Sequence, residues 1–108
     1  MYVIEATVTA CKVEADSDYH LALADDQGNT MIAEAACPGC SAGSPWLPQI
    51  TAVRAAVEAA IPNITDQYQD VNRQATLVGV GFFDRIHGQR GVARNGIELH
   101  PLIDIQFA

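Results

Sequence analysis

Side chains that can do chemistry concentrate between residues 84 and 100. They form the candidate ligand-binding set Asp84, Arg85, His87, Gln89, Arg90, Glu98 and His100. Glu98 and His100 stand two apart in an alternating stretch, so they share one face of a predicted strand, about 7 Å apart. Carboxylates, imidazoles and arginines together could position a ligand, transfer a proton or hold a metal. The simpler interpretation is that Asp84, His87 and Gln89 tie a long loop to the fold by hydrogen bonds.

The arginines of this set lie in an otherwise acidic chain. The sequence has 13 Asp and Glu against 6 Lys and Arg, which gives a formal net charge of −7. Residues 1–36 carry seven of the acids, whereas residues 73–96 carry four arginines and a single acid. This balance excludes general nucleic-acid binding, which needs Lys and Arg to neutralise phosphates. It leaves two interpretations of the basic segment: neutralisation within the domain, or contact with one compact anionic ligand.

The tetrapeptide Cys37-Pro38-Gly39-Cys40 admits four interpretations: free thiols, a disulfide, a metal site or a redox pair. A redox pair needs its first cysteine at a helix N-terminus, but residues 41–44 separate this pair from the predicted helix. A structural zinc site needs four ligands, and the chain has one CxxC and a third cysteine, Cys11. We predict that Cys37 and Cys40 form a thiol pair or a disulfide, with Cys11 as an alternative partner.

Glu14, Asp16 and Asp18 alternate as acids do in a calcium-binding loop, but Tyr19 follows where an EF-hand requires glycine. His20 comes next and could join a second histidine across a sheet, although a lone histidine more often makes only structural contacts. We therefore predict no metal site, no catalytic residue and no cofactor from the sequence.

Five segments alternate apolar and polar residues with the period of two that is typical of strands. They are residues 2–13, 19–24, 30–36, 75–83 and 97–107. Residues 25–29 form a hairpin turn, and Pro101 marks an edge or a bulge in the last strand. One amphipathic helix begins at Ser44-Pro45 and ends at Ile61, and a polar loop follows it at residues 63–72.

The order β-β-β-α-β-β predicts a mainly β, single domain that spans residues 1–108. It matches the OB-fold, a five-stranded Greek-key barrel, here with one capping helix between strands 3 and 4. A ferredoxin-like fold needs a further helix after its first strand, and an SH3-like barrel lacks a long helix. In an OB-fold the loop between strands 4 and 5 borders the usual binding face, and the candidate set lies there.

The segment GVGFFDRIHGQRGVARNGIELHP (Gly79–Pro101) resembles the signature of an uncharacterised family of small bacterial proteins, roughly GV-x-FFD-x-x-HGQ-x-G-x-A-x-N-G-IELHP. DYHLALAD, TMIAE and SPW fit the same pattern earlier in the chain, so the resemblance covers most of the sequence. Arg94 departs from it, since many such sequences have proline there. The resemblance implies a small β-barrel with a distinctive late loop, and it supplies no activity.

We interpret the protein as a binding module for a small polar or anionic ligand at the strand 4–5 loop. One alternative is a protein–protein or self-associating module, for which an oligomer is expected. Another is a small hydrolase that uses His87, Glu98 and His100, and we favour binding over an enzymatic role. The chain has no apolar stretch long enough to span a membrane and no start typical of a signal peptide. The sequence is compatible with either a small molecule or a protein as the partner. Among compartments it favours the cytoplasm.

Overall fold

The computed structural model describes residues 1–108 and contains five strands and one α-helix. Their bounds are β1 Tyr2–Val13, β2 Tyr19–Ala24, β3 Thr30–Ala35, α1 Leu47–Ala60, β4 Gln69–Phe83 and β5 Ile97–Phe107, with a 3-10 turn at Pro38–Cys40. The strands close into a barrel in the order β1-β2-β3-β5-β4. All neighbours are antiparallel except β3 and β5, which run parallel. The predicted mainly β, five-stranded barrel with one helix between strands 3 and 4 is confirmed.

The hairpin between β2 and β3 sets the register of the first half of the barrel. Asp25 accepts hydrogen bonds from the backbone N–H groups of Gln27 and Asn29, and Gly28 adopts a φ of +82°. A glycine accepts this left-handed conformation without a steric penalty. The turn therefore places His20 opposite Glu34 on the neighbouring strand.

The prediction was wrong about the start of β4 and about the start of the helix. β4 begins at Gln69 rather than at residue 75, because residues 69–74 pair with β1 by backbone hydrogen bonds. Those bonds require no apolar side chains, so the polar stretch hid the strand. The helix begins at Leu47, and the hydroxyl of Ser44 accepts a hydrogen bond from the backbone N–H of Trp46, before the helix starts.

The core fills the barrel and the space under α1. The helix buries Ile50, Val53 and Val57 and packs mainly on β5. The largest fully buried side chains include Leu21, Leu23, Ile32, Leu77, Leu99 and Leu102. Each such leucine contributes on the order of 1.5–3 kcal/mol by leaving water. The helix does not meet the length and apolar character that a membrane-crossing helix requires.

A bulge in β5 confirms the interpretation of Pro101. Gly79 pairs with Leu102 and Gly81 with Leu99. The glycines are two residues apart on β4, whereas their partners are three residues apart on β5. The extra residue lets both leucines face the core, although side chains three apart on a regular strand point to opposite faces. A Cβ on Gly79 would lie 2.8 Å from the Leu99 Cβ, so the two strands approach each other closely here.

Candidate functional site

A cleft of about 300 Å³ opens where the β1–β2 turn, β2, β3, the β4–β5 loop and β5 meet. It contains five carboxylates, all three histidines of the chain and no lysine or arginine. We call it the acidic cleft; its lining residues are Glu14, Asp16, His20, Ile32, Glu34, Phe82, Asp84, His87, Gln89, Glu98 and His100. A second groove, of about 360 Å³, is lined mainly by apolar side chains and contains no histidine.

Five of the seven predicted residues meet in the acidic cleft, namely Asp84, His87, Gln89, Glu98 and His100. Arg85 and Arg90 do not line it. The Arg90 guanidinium lies 3.3 Å from Asp70 and over the ring of Tyr68, and Arg94 lines a different depression beside residues 27–30. The arginines therefore do not converge on one ligand. An anionic ligand stays a prediction, and the negative charge of this cleft does not favour it.

The other half of the cleft comes from the first 34 residues, which the predicted set does not include. Glu14, Asp16, His20 and Glu34 belong to this half. His20 and Glu34 could have been found from the sequence. A glutamate in the middle of an apolar strand is unusual, and the hairpin turn fixes a register in which His20 faces Glu34.

His20 occupies the inner end of the cleft and is almost completely buried. Its Nε2 lies 3.0 Å from the backbone carbonyl of Arg90. Because a carbonyl only accepts, Nε2 carries the hydrogen, and the lone pair of a neutral ring is on Nδ1. Nδ1 lies 3.3 Å from Glu34 Oε1 and 3.7 Å from Glu14 Oε2. The lone pair of Nδ1 and the two carboxylate oxygens, all hydrogen-bond acceptors, therefore face one another unless a proton or another cation lies between them.

Crowding of carboxylates changes the acidity of Glu34 and Glu98. Burial is the main cause that raises the pKa of Glu34 to about 10, and a hydrogen bond with Glu14 and the charges of Glu14, Glu98 and Asp18 add to it. Burial and the charge of Asp84 raise the pKa of Glu98, while His100 opposes the shift. In the absence of another cation, the inner end of the cleft therefore holds a proton at neutral pH.

His100 bridges two carboxylates nearer the mouth of the cleft. Its Nε2 lies 3.3 Å from Asp18 Oδ2, and its Nδ1 lies 3.4 Å from Glu98 Oε1. The other oxygen of Asp18 accepts a hydrogen bond from the backbone N–H of Cys37 at 2.8 Å, and Phe82 packs edge-on against the imidazole. These contacts orient the ring, as carboxylates orient histidines that transfer protons.

Hydrogen bonds within the β4–β5 loop fix its conformation beside the cleft. Gln89 accepts from the backbone N–H of His87 and donates to the carbonyl of Arg85. The backbone N–H of Asp84 donates to the carbonyl of Gly96 at 3.0 Å, and the Asp84 carboxylate lies 3.6 Å from His87 Nε2. Gln89 thus makes its hydrogen bonds within the loop and not to the barrel, while Asp84 and His87 also present side chains to the cleft.

A disulfide joins Cys37 and Cys40 in the structure, and Cys11 is a free, buried thiol. Cys37 precedes the 3-10 turn Pro38–Cys40 and Cys40 ends it, so neither cysteine is at the N-terminus of α1. Burial raises the pKa of Cys11 to about 12, so this thiol stays protonated at neutral pH. The disulfide borders the site at two points: the backbone N–H of Cys37 donates a hydrogen bond to Asp18, and Cys40 Sγ lies 3.9 Å from the carbonyl oxygen of Asp16.

The acidic cleft combines nitrogen and oxygen donors that can bind a cation, accept hydrogen bonds or exchange protons.

Comparison with known proteins finds no matching family model, no matching curated protein and no matching solved structure.

Proposed function

We propose that the protein is a small binding module with an OB-fold, which takes a positively charged ligand in the acidic cleft. The observation that carries the proposal is the charge of the cleft: five carboxylates line it and no lysine or arginine does. The barrel order β1-β2-β3-β5-β4, with the helix between β3 and β4, supports the OB-fold. The sequence favoured a polar or anionic ligand, and the charge of the cleft favours a polar ligand that carries a positive charge.

The size and burial of the cleft fit a small ligand. A volume of about 300 Å³ lies at the lower end of ordinary ligand sites. A unit charge about 4 Å from one carboxylate gains roughly 4 kcal/mol at the effective dielectric constant of a protein surface. Affinity should therefore fall as the salt concentration rises.

The segment Gly79–Pro101, which carries the family resemblance, supplies part of this cleft. Six of the eleven lining residues lie in it: Phe82, Asp84, His87, Gln89, Glu98 and His100. We infer that the signature encodes one wall of a binding site, and that relatives with the same signature have the same cleft.

Binding can be tested by titrating ¹⁵N-labelled protein with three probes: ethylenediammonium, Mn²⁺ and inorganic phosphate. We expect at least one of the two cations to perturb the amide signals of cleft residues, and phosphate not to. Glu98→Gln should weaken cation binding by roughly fivefold to tenfold, since it removes one nearby charge. Asp104→Asn is the matched control, because Asp104 is an exposed acid on the same strand and does not line the cleft. The proposal is wrong if neither cation binds, or if phosphate binds in the cleft instead.

The contacts of His100 favour hydrolysis as a second candidate function. Glu98 and His100 are in contact, and His87 lines the same cleft, so the three residues of the predicted hydrolase share one cleft. In this interpretation His100 is the general base, and Asp18 orients it. A screen with p-nitrophenyl esters and phosphates tests the idea, and activity that survives His100→Ala would exclude this role.

Self-association, the remaining alternative, rests on exposed apolar side chains. Val3, Phe83 and Ile86 are each more than half exposed. Sedimentation of the protein tests it directly, and a monomer at all concentrations would count against this alternative.

A further inference from the structure

The atoms around His20 Nδ1 have the spacing of ligands that share one ion. An ion about 2.1 Å from each atom would form an angle of about 104° between Nδ1 and Glu34 Oε1, and of about 124° between Nδ1 and Glu14 Oε2. The tetrahedral value of about 109° lies between these two angles. The three ligand atoms lie within 4.8 Å of one another. Rotation of Glu14, whose side chain is 32% exposed, can bring the two carboxylates closer.

Two buried atoms of this group have no hydrogen-bond partner. They are Nδ1 of His20 and Oε2 of Glu34, on side chains that are only 3% and 8% exposed. Leaving such buried atoms unpaired destabilises the fold. A cation bound to Nδ1 and to Glu34 Oε1 would pair the imidazole nitrogen and separate the facing acceptors, and bidentate binding by the Glu34 carboxylate would pair Oε2 as well.

The contacts on the opposite side of the His20 ring are those that favour metal binding at Nδ1. Its Nε2 donates a hydrogen bond to the carbonyl of Arg90 at 3.0 Å, and the ring of Tyr68 packs edge-on against it. Metal-binding histidines commonly make this contact, because it fixes the tautomer and directs the lone pair of the other nitrogen at the metal.

We propose that His20, Glu34 and Glu14 form a site for a divalent transition-metal ion at the inner end of the acidic cleft. This inference rests on the proposed function, because the ion is the cation that the cleft takes. One imidazole nitrogen with two carboxylates suits Zn²⁺, Mn²⁺, Fe²⁺ or Co²⁺ better than Ca²⁺ or Mg²⁺, which prefer oxygen ligands alone. Three protein ligands leave at least one coordination position for water or a ligand from the cleft.

The test uses the oxidised, full-length protein after removal of metals with a chelator. With Cys37 and Cys40 joined and Cys11 buried, thiols do not compete for the ion. Titration with Co²⁺, followed by calorimetry and by visible absorption, should give one site with nitrogen and oxygen ligands. His20→Gln and Glu34→Gln should each weaken binding on the order of 100-fold, whereas Asp104→Asn should leave the affinity unchanged.

His20→Gln separates ligation from general attraction by the cleft. The substitution removes no negative charge, so attraction alone predicts unchanged binding and ligation predicts its loss. Glu98→Gln provides the converse case: it lowers the negative charge without removing a ligand, and it should weaken Co²⁺ binding only by roughly fivefold. Equal affinities of wild type and His20→Gln would overturn the metal site.

A measurement on the wild type covers the case in which a variant does not fold. In protein labelled with ¹⁵N at histidine, Zn²⁺ should shift the Nδ1 signal of His20 and leave its Nε2 protonated. A shift at His87 or His100 alone, or no shift at all, would also overturn the proposal. Binding of ethylenediammonium in the cleft would then show that the proposed function stands without the metal site, and absence of all cation binding would refute both.

Discussion

The protonated Glu34 should make the metal-free protein less stable as the pH rises. The pKa of this carboxyl is about 10 in the folded state against an ordinary 4.5, first because of burial and then because of Glu14, Glu98 and Asp18. Between these two values the folded protein holds a proton that the unfolded chain has released. The folded state thus binds more protons, so the free energy of unfolding falls as the pH rises through this interval.

The size of the effect follows from one proton. The slope is about 1.4 kcal/mol per pH unit, so the loss between about pH 5 and pH 8 approaches ~4 kcal/mol. This figure is an upper limit, because water that reaches the cleft and small movements of the carboxylates lower the effective penalty of burial. It is nevertheless a large part of the roughly 5–15 kcal/mol that stabilises a domain of this size.

Glu34→Gln removes this dependence, because an amide has nearly the same shape, can donate to Glu14 and does not titrate. Urea unfolding at about pH 5, 6, 7 and 8 in EDTA, followed by the fluorescence of the single tryptophan, Trp46, measures both proteins. The stabilities of wild type and variant should be similar near pH 5, and the variant should be the more stable protein near pH 8.

Asp104→Asn controls for the loss of one negative charge, and its curve should run parallel to that of the wild type. Parallel curves for wild type and Glu34→Gln would mean that Glu34 is ionised in the folded protein, which would refute the reasoning.

Three further predictions concern the barrel. Because its pKa is about 12, Cys11 should not react with a thiol reagent at pH 8 until the oxidised protein is unfolded, which a colorimetric thiol assay measures. Gly79→Ala places a Cβ 2.8 Å from the Leu99 Cβ and should lower the free energy of unfolding by about 1–3 kcal/mol in urea. Tyr19→Phe removes a 2.6 Å hydrogen bond to Glu58 and should cost about 1 kcal/mol in the same assay.

The barrel could be predicted because its strands follow a local rule. The alternation in residues 2–13 and 97–107 and the turn at residues 25–29 each arise from neighbours in sequence, and the structure has strands and a hairpin there. The start of β4 at Gln69 could not be predicted in the same way. Its first six residues are mostly polar and are held by backbone pairing with β1, which leaves no apolar pattern in the sequence.

The acidic cleft was only half predictable, since its two halves meet through tertiary contacts. The carboxylates of Glu34 and Glu98 come together because β3 and β5 pair in parallel, with Ile32 opposite Glu98. No local pattern specifies that pairing. The arginines that cluster in the sequence lie apart in the fold for a related reason. A long side chain reaches its own partner, as Arg90 reaches Asp70, so neighbours in sequence need not share a ligand.

The chemistry of the cleft opposes the folding of the barrel around it. Elsewhere the buried residues are almost all apolar, but at this end the strands bury His20, Glu34, Glu98 and Asp18 together. Groups of like charge that leave water destabilise a fold unless a proton or a metal ion offsets their repulsion. Apolar residues of similar volume would remove this cost. This departure from the rules of the surrounding core supports the proposed binding role, and the His20 nitrogen that faces two carboxylates supports the proposal of a cation as the ligand.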